Sequence, residues 1–125
     1  MAYLRIVCLS ILLLASPVAA SGLDGDRLVI KALKENGSDL SKPHAIDFFF
    51  DFPVAKSAQQ VCAKLEGEGY APHVTASDDG DNHTCRAVKK MVPDLEVMQK
   101  LTLRFNELAA KHGGVYDGWG CPVEY

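Results

Sequence analysis

The stretch Ala45–Phe52 (AIDFFFDF) limits the possible folds more than any other part of the chain. Ile46, Phe48, Phe50 and Phe52 share one parity, and Asp47, Phe49 and Asp51 share the other. A period of two marks a β-strand, because successive side chains leave a pleated backbone on opposite faces. One face is so apolar that helices must cover it. The other carries acids around a single aromatic, which predicts an exposed Phe49 facing solvent or a partner. The alternative is that the N-terminal helix lies across Phe49 and makes that face core. Pro53 ends the strand, since proline donates no ladder hydrogen bond.

The remaining segments supply that cover. Asp26–Glu35 spaces Leu28, Val29, Ala32 and Leu33 as a short helix that stops at Asn36-Gly37, with Ser21–Asp26 a flexible leader before it. Val54–Glu68 sets Ala58, Val61, Cys62 and Leu65 on one helical stripe. Tyr70–Ser77 predicts a strand, with Pro72 placing it at an edge. Asp78-Asp79-Gly80-Asp81 predicts a turn, and His83–Met91 the returning strand. Asp94–His112 is a long helix, and Val115–Val123 a last strand interrupted by Gly118, Gly120 and Pro122. The order, a helix and then β-α-β-β-α-β, is an α+β pattern of the ferredoxin-like type. Right-handed crossovers put both main helices on one face of a four-stranded antiparallel sheet.

The first twenty residues read as an export signal. Met1–Arg5 carries one positive charge, Ile6–Ala15 is apolar, Pro17 breaks the run, and Val18-Ala19-Ala20 offers a cleavage point before Ser21. The run is about half of the roughly 20 residues needed to span a bilayer. The expected product is a periplasmic or secreted protein with no membrane association after cleavage. Residues 21–43 form its leader and short helix, and 44–125 its ferredoxin-like domain. Without residues 1–20 the chain keeps 12 Lys+Arg against 16 Asp+Glu. An acidic balance without a basic stripe argues against direct nucleic-acid binding.

Export changes how the cysteines are read. Cys8 leaves with the signal, and Cys62, Cys85 and Cys121 remain in an oxidising compartment. Three pairings are possible. The first main helix must cross the third strand, which brings Cys62 over Cys85. Cys121, on the far edge strand, lies ~10 Å from the third strand, beyond the reach of a bridge. A Cys62–Cys85 disulfide with Cys121 free is therefore favoured over three unpaired thiols.

Several pieces resemble a known family when taken in order. They are the aromatic strand ending Asp51-Phe52-Pro53, Gly69-Tyr70, the turn Asp78–Asp81, Met91-Val92-Pro93-Asp94-Leu95, and above all Tyr116-Asp117-Gly118-Trp119-Gly120. Together they resemble the RraB family, regulators of ribonuclease E activity of type B, from about Asp26 to Val123. The resemblance implies a ferredoxin-like fold and a protein inhibitor that binds a ribonuclease, not an enzyme and without a cofactor. The chain departs from the family in its signal segment and in ending at Tyr125 without a long acidic tail.

Candidate protein-binding residues are Asp47, Phe49 and Asp51 on the first strand, and Tyr116, Asp117 and Trp119 on the last. The glycines around Trp119 equally suit a bent strand with a packed indole. No nucleophile elbow, zincin motif or phosphate loop is present, so no catalytic residue is assigned. A second reading is a metal- or thiol-based redox protein using His83, Cys85 and Cys62, with His73 across the hairpin. It lacks the paired ligand spacing of zinc sites, so no metal is assigned either. A third reading is a cytoplasmic ribonuclease E inhibitor that retains its N-terminus.

Overall fold

The computed structural model describes residues 21–125, and the expected signal segment lies outside them. The elements are α1 (Ser21–Glu35), β1 (His44–Phe52), α2 (Ala55–Gly67), β2 (Ala71–Ala76), β3 (His83–Met91), α3 (Leu95–Lys111) and β4 (Val115–Gly120). The sheet order is β2-β3-β1-β4, and every neighbouring pair is antiparallel. This is the expected α+β, ferredoxin-like arrangement.

β1 lies inside the sheet, and its Ile46, Phe48, Phe50 and Phe52 are all fully buried. Phe48 meets Tyr70 and Phe105 edge-on, with ring centroids 5.6 and 5.3 Å away. Phe50 packs on Phe105 and Tyr116 at 5.1 and 5.0 Å. Edge-to-face pairs at such spacings add about 0.5–1.5 kcal/mol each beyond simple burial. α2 rests on β2 and β3, and α3 on β1 and β4, so both helices cover this face. Asp94 opens α3 by accepting from the Val97 amide at 3.1 Å. Gly114 joins α3 to β4 where no side chain fits. A Cβ there would lie 2.4 Å from the Asp51 carbonyl oxygen.

Two sequence expectations are corrected. Ser21–Asp26 is not a leader, because α1 begins at Ser21. Gly25 and Asp26 are buried there, so contact with α3 and β4 overrides glycine's poor helix propensity. The last strand stops at Gly120 rather than Val123. The chain beyond it is tied to the loop before β1. Ser38 Oγ donates to the Glu124 carbonyl at 3.2 Å and accepts from its amide at 3.0 Å.

Candidate functional site

The three helices of the described residues lie on one side of the sheet. α1 packs on α3 and β4, beside the core and not across the opposite face. Both expectations for Phe49 therefore fail. α1 does not cover it, yet it is only 8% exposed. Phe49 faces Arg86 on β3 and Gly118 on β4. Arg86 Nε donates to Asp47 Oδ1 at 2.7 Å. Asp47 itself is buried.

The rest of this face is polar and open. Asp51 is half-buried and accepts from Thr84 Oγ1 at 2.6 Å and from Asn82 Nδ2 at 3.3 Å. Val115, the register partner of Asp51, is 61% exposed. Ala45, Ala71, His73, Thr75 and Lys90 are exposed on the same parity. Asp117 is half-buried here, and burial, with the Asp51 carboxylate beside it, pushes its pKa up to about 6. The face thus offers two closely placed carboxylates next to an uncovered valine.

Asp117 reaches that face through a break in register. Phe50 pairs with Tyr116 but Phe49 with Gly118, leaving Asp117 as the extra residue of a β-bulge. Gly118 sits at φ 91°, which a side chain would strain. Tyr116 and Trp119 are three residues apart and would face opposite ways in an unbroken strand. The bulge turns both inward, to 7% and 0% exposure. The candidate residues therefore separate into two groups. Asp47, Phe49, Asp51 and Asp117 belong to the open face, whereas Tyr116 and Trp119 are core. The Trp119 indole N–H donates to Asp26 Oδ1 at 2.8 Å, fastening β4 to α1.

Cys62 and Cys85 are joined in a disulfide between α2 and β3, with Cα atoms 5.7 Å apart. A metal centre of His83, Cys85 and Cys62 would lose two of its three donors to that bond. Among the described residues no group of three His, Cys, Asp or Glu side chains is placed to hold a metal. Cys121 is a buried free thiol. Burial, followed by the charges of Asp47 and Glu124, pushes its pKa up to about 12, which suppresses thiolate chemistry.

The helix layer differs in charge. A 240 Å³ cleft between α2 and α3 is lined by Lys64, Arg104, Glu107, Leu108 and Lys111. Arg104 is clamped on Glu68 and holds that carboxyl below its ordinary range. No described helix is long and apolar enough to cross a membrane.

This architecture, with YDGWG forming the bulge that anchors α1, can be set against known proteins. The family described as Regulator of ribonuclease activity B matches residues 23–121. The chain belongs to the RraB family. The RraB match begins inside α1 and ends just past β4, so it takes in the N-terminal helix with the sheet. A curated relative named Regulator of ribonuclease activity B, from Pseudoalteromonas atlantica, is 33% identical over 95 residues, covering 73% of this chain and 81% of that protein.

Sequence reasoning missed two features. One is the Asp26–Trp119 bond, which no spacing rule reports. The other is His44, fully buried at the start of β1. His44 is hydrogen-bonded to Ser38 Oγ and the Lys42 carbonyl, each at 2.7 Å. Nothing in the exposed-looking run Ser41-Lys42-Pro43 signals it.

Proposed function

We propose that this chain is a non-catalytic protein regulator of a ribonuclease, that it grips its target with the open face of the sheet, and that it works after export. The observation that carries this reading is the RraB match across the whole α1–β4 unit. The face suits a protein partner. Asp51 and Asp117 present carboxylates at its rim beside exposed Val115, while Phe49 and the Asp47–Arg86 pair form a rigid floor. A partner bearing Lys or Arg answers those carboxylates and relieves their mutual repulsion. The Cys62–Cys85 bond favours the exported reading, because such bonds persist in oxidising compartments.

Two experiments test this. In the first, purified protein is titrated into an RNA-cleavage reaction run by an endoribonuclease of the same cell. Inhibition that saturates near one protein per enzyme supports the reading. Turnover of RNA by the protein alone overturns it. In the second, mass spectrometry of the native protein reads its N-terminus and thiols. A chain starting at Ser21 with one disulfide supports export. A chain starting at Met1 with free thiols in the cytoplasmic fraction favours the retained, cytoplasmic inhibitor instead.

A further inference from the structure

α1 is held to the rest of the molecule by apolar contact and by one acid. Val29 and Leu33 are buried in the core, whereas Leu28 is 47% exposed. Asp26, one turn before Val29, is 2% exposed. Its Oδ1 accepts from Thr102 Oγ1 of α3 and from the Trp119 indole of β4, both at 2.8 Å. Its Oδ2 is buried and has no hydrogen-bond partner among the described residues. An ionised oxygen in that position loses its hydration with nothing in return, and a protonated one loses far less.

We propose that Asp26 is a proton-operated latch: protonated, it clamps α1 onto α3 and β4, and ionised, it loosens that helix.

Among the described residues, burial and the bonds from Thr102 and Trp119 are what act on Asp26, and no charge does. On α3 Thr102 bonds Asp26, while Glu96, Lys100, Arg104, Glu107 and Lys111 lie exposed. On β4 Trp119 bonds Asp26, and Asp117 lies on the far face of the sheet beside Asp51. On α1 itself Asp24, Arg27, Lys31, Lys34 and Glu35 are all exposed. What acts on Asp26 is burial first, then the bonds from Thr102 and Trp119, which partly offset it, and the pKa rises from 3.8 to about 6.

The sign follows from linkage. The docked helix binds the proton more tightly than the undocked one, so docking is strongest below about pH 4 and weakens as pH rises to about 6. The docked-to-undocked ratio falls by about 100-fold across that window. Burial of Val29 and Leu33 opposes full release. The ionised state is therefore a helix that opens more often, not one that detaches.

The test is hydrogen exchange of the α1 amides, corrected for intrinsic rates, with the indole N–H resonance of Trp119, the single tryptophan, followed between about pH 4 and pH 7. Protection in α1 should fall by about 100-fold, with the indole resonance moving at the same midpoint. Asp26→Asn should abolish the step. Asp117→Asn, which removes the other carboxyl titrating near 6, should leave it. Should Asp26→Asn fail to fold, the wild-type Asp26 carboxyl carbon reports directly, and a midpoint coincident with the α1 step supports the latch. Protection independent of pH, a step that survives Asp26→Asn, or an Asp26 midpoint near 4 would overturn it.

Discussion

Removing the disulfide is the most quantitative perturbation of this fold. Cys62 and Cys85 are 23 residues apart in sequence, and their bond pins α2 to β3. Closing a loop of that size restricts the unfolded chain by an amount that corresponds to about 3.4 kcal/mol at 25 °C. Alanine at both positions also removes two buried sulfur atoms from the core, and the small cavity left adds to the loss. Cys62→Ala/Cys85→Ala should therefore lose about 3–4 kcal/mol, a large share of the 5–15 kcal/mol typical of a domain. In urea the unfolding midpoint should drop by about 1.7 M if the slope is near 2 kcal/mol/M. The assay compares oxidised wild type, wild type under reductant and the double variant by circular dichroism. Reduced wild type should fall most of the way to the variant. A loss below about 1 kcal/mol, or coincident curves for reduced and oxidised wild type, would refute the reasoning. It would mean that packing alone holds α2, and that the fold gains nothing from an oxidising compartment.

Three further outcomes are expected. Gly114→Ala pushes a methyl into the Asp51 carbonyl and the Phe52 ring and should cost about 1–3 kcal/mol, read as a lowered Tm. Gly118→Ala forces a side chain to φ 91°, costing about 1–2 kcal/mol, and should shift the near-ultraviolet signal of Trp119 by disturbing the bulge. Asp117 has a raised folded pKa, so its penalty is absent below about pH 4, grows as pH rises to about 6 and is complete above that. Asp117→Asn should thus stabilise the protein at pH 7.5 by about 1 kcal/mol after allowing for solvent screening, and not at pH 4, while weakening binding of the ribonuclease.

The sheet and its core were legible because β1 alternates so strictly. Once Ile46, Phe48, Phe50 and Phe52 define a buried parity, the crossover helix brings Cys62 over Cys85, which favours the pairing that the structure forms. Exposure on the other parity was not legible. Phe49 sits opposite Arg86 and Gly118, residues far away in the chain, so its burial cannot be read from local spacing. Tyr116 and Trp119 are contact candidates by residue type, with a packed indole as the alternative, and the structure buries both. Parity counting assumes an unbroken strand, and one bulge residue reverses the outcome for everything beyond it. The start of α1 was hidden by Gly22 and Gly25, which locally disfavour a helix that tertiary contact restores. Asp26, where the spacing starts the first helix, lies inside α1 as a buried partner of Trp119.

The most direct measurement is a binding footprint: backbone resonances of the isotope-labelled protein followed while unlabelled ribonuclease is added. Shifts and broadening centred on Asp51, Thr84, Arg86, Val115 and Asp117, lost in Asp51→Arg/Asp117→Arg, are predicted. Perturbations confined to the Lys64, Arg104 and Lys111 cleft, or binding that survives both substitutions, would contradict the account.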